Sequence, residues 1–345
     1  MASPKMYVDY GFRGLVENKG HGLQRAAIFS ILRSYADLVT SLNQEYKRSF
    51  ILGIEEPELY MHPQAQRTVR RVFREIADAG DQVFFSTHSS HFVDVADFDE
   101  IIRVEGQLIS NGGKNAVTTS TWHLPIARMV EDEIERHPRL KDKVTPASMR
   151  EYYSHAYNPH SNEGFFAKRI LLVEGDTEEY ALPNYAEALG MSLDLLGVSI
   201  VQCGGKGPMD RLYRIFNELG IPCYILFDYD KNIEKKEIVE KSKELLAMVG
   251  ESTEPPAVPL VKDLIACFPE KWEATVNAEI PDYKDIQIGA RELLGPDAGK
   301  PLLARYAARV LAAKQPAFVP PTIAEVLRKA VAVTWKGSCL VSCKG

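Results

Sequence analysis

The sequence predicts an α/β protein made of two successive units of parallel strands and helices, the second carrying a helical insertion or extension. Three observations carry this. Short apolar runs alternate with stretches of helical periodicity. Several of the runs end abruptly in acidic or polar residues, as buried parallel strands do at their carboxyl ends. Glycines close the intervening helices. In the first unit, residues 23–42 place Ala27, Ile28, Ile31, Leu32, Tyr35 and Leu38 at helical spacing. Residues 50–54 form a short apolar strand running into acid, 63–79 a helix, 82–86 a second buried strand and 99–104 a third. Residues 106–122, rich in Gly, Asn, Ser and Thr, predict a hairpin or loop, and the polar stretch 126–165, broken by Pro138, Pro146 and Pro159, reads as a linker. The second unit opens at Arg169 with a strand over 170–173 and a helix over 177–189 stopped by Gly190. A strand over 198–202, the turn Gly204-Gly205-Lys206-Gly207 and a helix over 209–219 stopped by Gly220 follow. A strand over 223–227 then runs into Asp228-Tyr229-Asp230. Beyond it come an amphipathic Lys/Glu-rich helix over 233–249, a Pro/Glu loop over 254–259 and a mainly helical remainder.

At 345 residues the chain has room for two cores, and its 45% hydrophobic and 26% charged content is that of an ordinary globular protein. The net charge of −6 excludes a generic polyanion binder, so any nucleic acid must be met by a local basic surface or by bound metal. The five cysteines (Cys203, Cys223, Cys267, Cys339 and Cys343) form no C-x-x-C pair, which argues against zinc and for a reducing cytoplasm. No apolar run reaches membrane-spanning length and the first residues show no signal-peptide core; Met1-Ala2-Ser3-Pro4 reads as an added start.

The most informative segment is Leu172-Val173-Glu174-Gly175-Asp176-Thr177-Glu178. Glu174 falls at the carboxyl end of a strand and Glu178 one turn into the next helix. About fifty residues later Asp228 and Asp230 end another strand, and the two-residue side-chain period points both to one side. If the two strands are neighbours, four carboxylates converge. Such a group cannot stay fully ionised without cations, and an all-oxygen set suits Mg²⁺ or Mn²⁺. An acid after a strand is by itself often a helix cap, and Asp-x-Asp is common in turns; the specificity lies in the ordered combination. Gly204-Gly205-Lys206-Gly207 lacks the spacing of a P-loop. It still opens a helix, so its amides and Lys206 can meet a phosphate, or it is an ordinary tight turn. Glu273 is either a further carboxylate or part of a solvated helix face. Lys336 is either a cation beside a scissile phosphate or a surface lysine. Asp176 is either a ligand or a helix cap.

With Val173-Glu174-Gly175, Glu178 and Asp228-x-Asp230 in place, the second unit resembles the Toprim domain, a Rossmann-like fold shared by topoisomerases, primases and recombination nucleases. The resemblance implies that Glu174 acts near the reacting phosphate as acid/base or metal ligand. It also implies that Glu178, Asp228 and Asp230 hold two Mg²⁺ or Mn²⁺ ions.

In the first unit, Ile51-Leu52-Gly53-Ile54 runs into Glu55-Glu56-Pro57-Glu58, and Val83-Phe84-Phe85-Ser86 into Thr87-His88-Ser89. Upstream, Gly20-His21-Gly22-Leu23-Gln24-Arg25 is a Gly-rich turn opening a helix, an anion-facing terminus. In this order the elements resemble the C-terminal part of an ABC-type ATPase: signature-like turn, Walker B acids and switch histidine. The resemblance implies Glu55 on the Mg²⁺ side, where the family usually has Asp, Glu56 as catalytic base and His88 as switch. It implies that Gly20, Gly22, Gln24 and Arg25 contact the nucleotide of a partner subunit. No Walker A motif occurs in the sequence, so ATP is expected only together with a segment that supplies one.

Both matches in one chain resemble the OLD (overcoming lysogenization defect) family of nucleases over residues 1 to about 231. The expected layout is a partial ATPase lobe over 1–105, a hairpin and helices over 106–166, and a Toprim domain over 167–345 with a helical region at about 232–330. The resemblance implies metal-dependent DNA cleavage coupled to an ABC-type ATPase, a homodimer and, as in some members, a helicase companion in phage defence or DNA processing. A topoisomerase-like enzyme and a non-catalytic DNA-binding or assembly module are the main alternatives, and no residue excludes a phosphate-ester hydrolase acting on small nucleotides. None of the fifteen tyrosines is marked as a nucleophile.

Overall fold

The computed structural model describes residues 5–9, 11–42, 50–111, 114–154, 159–233 and 235–340. Cys343, the opening residues 1–4 and the side chains of Tyr35 and Leu38 lie outside what is described. The chain divides into two compact units, residues 1–94 and 95–345.

The first unit opens with a short hairpin, β1 (Tyr7–Val8) and β2 (Gly14–Leu15). Then follow α1 (His21–Leu42), β3 (Ile51–Glu55), α2 (Pro63–Asp78) and β4 (Gln82–Ser86). β3 and β4 pair in parallel from Ile51↔Gln82 to Glu55↔Ser86, so the two acidic and polar strand ends lie side by side. Val69, Val72, Phe73 and Ile76 fall on one stripe of α2. Phe73 and Val69 meet Phe29 of α1 and Phe92 in a small aromatic core.

The second unit begins with a hairpin, β5 (Ile102–Asn111) and β6 (Lys114–His123). The strand expected over 99–104 is therefore no third member of the ATPase sheet: residues 95–100 form 3-10 turns, and the chain then pairs antiparallel with its own return. One end of this hairpin is locked by Gly220, whose φ of +73° and contact with Trp122 leave no room for a side chain: a Cβ there would fall 2.5 Å from the indole. α3 (Ile126–Arg136), α4 (Pro146–Ser154) and α5 (Pro159–Glu163) follow.

Then comes the sheet that seats the site: β7 (Arg169–Val173), α6 (Asp176–Ala188), α7 (Leu193–Leu196), β8 (Val198–Gln202), α8 (Lys206–Glu218), β9 (Cys223–Asp228) and α9 (Lys236–Met248). β10 (Leu260–Val261), β11 (Ile265–Phe268), α10 (Trp272–Val276), α11 (Tyr283–Leu294), α12 (Lys300–Ala312) and α13 (Pro321–Ala332) complete the unit. The strand order is β10-β11-β9-β7-β8, with only β10 antiparallel. β7 is buried almost throughout, which is why it reads as an unbroken apolar run. Leu171, Val173, Leu226, Ala266 and Phe268 share a core with Ala181 and Leu182 of α6, Ala308 and Leu311 of α12, and Ile323 and Leu327 of α13. α8 packs on β7 and β9.

Residues expected to be a linker are held tightly. Arg214 on α8 is fully buried and bonds Asp132 Oδ2 (2.7 Å) and Glu133 Oε2 (2.7 Å) of α3, and Asp210 Oδ2 (3.0 Å) of its own helix. Burial drives the Glu133 carboxyl upward, but Arg214 and Arg211 outweigh it and hold the group at about 2. Arg214→Met strands three acids with reduced compensation. It is expected to cost about 3–5 kcal/mol in urea unfolding; a loss below about 1 kcal/mol would show that the network does not anchor α3.

Candidate metal centre

The parallel pairing of β7 with β9, Val173 opposite Leu226, places Glu174 beside the end of β9. Glu174 Oε1 accepts from the Asp228 amide at 2.7 Å. On the other side the turn after β8 is tied back to β7, Cys203 N donating to the Val173 carbonyl (2.9 Å) and Gly205 N to that of Glu174 (2.8 Å). Gly175 caps α6, and Glu178 Oε2 accepts from the Gly175 amide at 3.1 Å. Three acids in the first turn, Asp176, Glu178 and Glu179, suit the positive end of the helix. Asp228 Oδ2 accepts from the Trp272 amide, 2.9 Å away, where β11 turns into α10. Asp230 adopts a left-handed backbone (φ +59°), and its Oδ2 stands 2.6 Å from Lys206 Nζ.

The electrostatics follow from burial. Desolvation pushes Glu174 up to about 7; Lys206 and the Asp228 amide oppose the rise, while Glu178 and Asp230 add to it. Desolvation also lifts Glu178 to about 7, against the opposing pull of its own amide and that of Gly175, with Glu273 and Asp176 adding repulsion. Asp228 reaches about 8, through burial and then the charge of Glu174, with Glu178 and Asp230 contributing and the Trp272 amide opposing. Asp228 thus sits in the fields of Glu174 and Glu178, and Glu174 in that of Glu178, with Lys206 opposing the rise at Glu174.

Of the residues expected at the site, Glu174, Glu178, Asp228 and Asp230 come together at the carboxyl ends of β7 and β9. Asp176 is the exposed first residue of α6, and the cap it was weighed for is Gly175. Glu273 on α10 is half-buried, acts on Glu178 and pairs with Lys300 at 2.9 Å. Lys206 does not face outward to a phosphate. Its ammonium turns inward to Asp230, to the Asp228 carbonyl (2.5 Å) and to Ser242 Oγ (3.3 Å). Lys336 lies at the opposite end of the sheet. Arg169, the first residue of β7, bonds the Val333 carbonyl, and Lys336 supports Lys329 in depressing Asp263 of the β10–β11 turn. A five-residue strand spans about 16 Å, so Lys336 is removed from the carboxylates. The residue that sequence reasoning missed is Lys300, the first residue of α12, which packs along α6. Its only local signal is Gly299-Lys300-Pro301, a helix start.

The donor chemistry fits Mg²⁺ or Mn²⁺: carboxylate oxygens only, half-buried and short of positive charge. Glu174 and Asp228 each have one oxygen outside the amide bonds that orient them. Among the described residues no three His, Cys, Asp or Glu side chains are gathered tightly enough to ligate one ion as they stand. Glu178 and Asp230 have their carboxylates engaged by the Gly175 amide and by Lys206.

In the first unit, Glu55 is exposed at the end of β3, and Glu56 takes a left-handed backbone (φ +43°). His88 Nε2 lies 3.7 Å from Glu56 Oε1, while the His88 amide donates to Glu58 Oε1 at 2.7 Å. Arg25 Nη1 donates to the Glu56 carbonyl (2.5 Å), and Gln24 Nε2 to that of Lys19 (2.7 Å). Gly22 is obligatory because a Cβ would meet the Tyr60 carbonyl at 2.6 Å. Gly20 starts α1, its carbonyl accepting from Leu23 and Gln24. Glu56, His88 and Arg25 are therefore assembled; Gln24 and Arg25 are bonded within their own chain.

An acidic notch on an open parallel sheet, preceded by an ATPase-like strand pair, defines an ATPase-linked Toprim protein. Residues 165–230 match the family described as Overcoming lysogenization defect protein-like, TOPRIM domain, and residues 6–93 the AAA ATPase domain. The chain thus joins an AAA-type ATPase segment to an OLD-like Toprim domain, and OLD nucleases are among its homologues. It is 29% identical over 214 residues, 61% of the chain, to the OLD nuclease of Thermus scotoductus, covering 35% of that protein. It is 30% identical over 215 residues to the Old nuclease of Escherichia phage P2, and 26% over 239 residues to Endonuclease GajA of Bacillus cereus. These cover 61% and 65% of this chain and 33% of each relative. The chain spans about a third of the length of the curated relatives it matches.

The raised carboxyls generate a pH dependence of definite sign. Asp228 protonates at about 8 folded against 3.8 as an ordinary side chain, so between those values the unfolded chain binds fewer protons. Metal-free stability from this group is full below about pH 4 and lost as pH rises through about 8. The wild-type minus Asp228→Asn difference in urea midpoint, measured in EDTA, is expected to fall over that window. Added Mn²⁺ is expected to stabilise more at pH 8 than at pH 5.5, because the ion must displace these protons. A flat difference profile with no Mn²⁺ effect contradicts the electrostatic picture.

Proposed function

We propose that the Toprim unit is a divalent-metal-dependent DNA endonuclease or nickase. The observation that carries this is the meeting of Glu174 and Asp228 from adjacent strands in one notch, their charge uncompensated. Bound Mg²⁺ or Mn²⁺, two ions in the full reading, supplies an activated water and positive charge at the phosphodiester. The chain supplies the rest. Glu174 and Asp228 hold the cation through the oxygens that the Asp228 and Trp272 amides leave outside their bonds. Glu178 joins them by leaving its capping bond. The resemblance gives Glu174 a second, alternative role, as acid/base near the reacting phosphate in place of metal ligand, in which it passes a proton to the leaving oxygen. Lys300, 62% exposed beside Glu273, offers an ammonium to the approaching phosphate, which the net charge of −6 otherwise repels.

The names of the relatives, two OLD nucleases and an endonuclease, support this reading. Coupling to ATP requires a phosphate-binding segment joined to the Glu55, Glu56 and His88 cluster, since no Walker A motif occurs in these residues. The homodimer, the helicase companion and a place in phage defence or DNA processing belong to the same reading and rest on the family resemblance alone. Among the described residues no helix is long and apolar enough to cross a membrane.

Supercoiled plasmid incubated with Mg²⁺, Mn²⁺ or Ca²⁺ tests the proposal. Nicked or linear product with Mg²⁺ or Mn²⁺ is expected. Glu174→Ala and Asp228→Ala are expected to reduce it by at least about 10³-fold while leaving the circular dichroism unchanged. Closed relaxed topoisomers, or no change of the plasmid despite DNA binding, would overturn the assignment.

A further inference from the structure

We infer that Lys206 is a positioning residue, the fixed cation of the Asp228-Tyr229-Asp230 turn. On this view Asp230 carries no divalent ion, and the ion-holding set is Glu174, Glu178 and Asp228. The inference rests on the nuclease reading above and departs from the family expectation, which gives Asp230 to a metal.

The geometry is that of a filled cation site. The Lys206 side chain is 8% exposed, and that of Asp230 11%. An ammonium has three N–H donors, and here three oxygens receive them: Asp228 O, Asp230 Oδ2 and Ser242 Oγ. No donor is left for a phosphate. Ser242 is itself fully buried and bonded to the Tyr229 carbonyl at 3.2 Å, so the cradle is built by α9 and the turn together. Gly204 (φ +71°) and Gly205 (φ +112°) reverse the chain so that Lys206 starts α8 aimed at β9, a path that residues with a Cβ rarely take. Within the Asp228-Tyr229-Asp230 turn it is Asp230 that takes a left-handed backbone, at φ +59°. A non-glycine residue there needs external support, and the 2.6 Å ion pair gives it. A carboxylate, a carbonyl and a hydroxyl are also ligands that Mg²⁺ and Mn²⁺ accept. The lysine therefore occupies a place a divalent ion would otherwise contest.

Counting bound Mn²⁺ by electron paramagnetic resonance on the full 345-residue chain tests this. Asp230→Asn is expected to bind as many Mn²⁺ ions as wild type; loss of an ion would overturn the inference. Lys206→Met, which frees three oxygens, is expected to gain an ion or to tighten the weakest binding step by at least about tenfold. Lys206→Arg is expected to restore the wild-type count. A Lys206→Met protein that folds by circular dichroism yet keeps the wild-type count and affinity would also overturn it. A lysine that merely stabilises the fold would shift melting without moving the Mn²⁺ count. Should Lys206→Met fail to fold, the Asp230→Asn count decides alone. A wild-type chain that binds no Mn²⁺ sinks the metal-dependent reading itself, an outcome distinct from any difference between variants.

Discussion

Everything at the site depends on one constraint: carboxylates from two adjacent parallel strands are held at a half-buried sheet end where water cannot fully solvate them. The bond from the Asp228 amide to Glu174 fixes the constraint in place, because it joins the end of β9 to the side chain that ends β7. Desolvation raises Glu174 and Asp228, and the charge of Glu174 raises Asp228 further. The main-chain amides of Gly175, Asp228 and Trp272 orient the acids and relieve them only in part. A polypeptide maintains such a group only where its packing is strong. The core shared by α6, α12 and α13 against Leu171, Val173 and Leu226 supplies that packing.

Most of this was legible in the sequence because parallel strands buried on both faces announce themselves as apolar runs, and acids at their ends mark the carboxyl edge. The strands over 170–173, 198–202 and 223–227 and the helices between them stand where the patterning puts them. The adjacency of β7 and β9, on which the four-acid reading depended, follows from the strand order. Less visible was β11, only four residues long, Ile265-Ala266-Cys267-Phe268, inside a stretch that reads as helical. A run that short carries no periodicity. Lys300 was hidden for a related reason: its place depends on α12 lying along α6, a long-range contact with no local trace. Lys336 follows the apolar run Val331–Trp335, and such a run does not tell which end of the sheet the lysine after it occupies; it lies by the start of β7. Residues 99–104 look like a buried strand in composition, yet strand composition does not tell parallel from antiparallel, and the Gly- and Asn-rich segment after it turns the chain back as a hairpin.

In the first unit, legibility ran the other way. The motifs were clear, and so was the strand pair, but how the turn packs could not be read. Gly22 is a glycine because the Tyr60 carbonyl lies against it, and His21 stacks on Tyr60 at 4.8 Å between ring centroids. The Gly-rich turn is thereby braced against the loop that follows the Glu55-Glu56 strand end. Arg25 then reaches the Glu56 carbonyl, helping to hold that acid in its left-handed conformation opposite His88. Backbone strain of this kind concentrates where side chains must be aimed.

If the chain of net charge −6 serves a polyanion, as proposed, the placement of its positive charge decides how. Lys206 is enclosed and its donors are spent on the turn, whereas Lys300, paired with Glu273, stands in solvent. A buried ammonium acts on its neighbours through a low dielectric and restrains Glu174 from rising further, but it cannot meet a ligand. An exposed one is weakened by water and salt, yet it is free to move onto a phosphate when that phosphate displaces Glu273. The two roles cannot be exchanged, because each depends on exposure and not on charge alone. On the nuclease reading proposed above, the inner lysine sets which acids remain for cations, and those cations with the outer lysine set whether a phosphodiester can approach. On that same reading the acidity of the notch, which taken alone would repel DNA, becomes the means of concentrating positive charge where DNA is to be met.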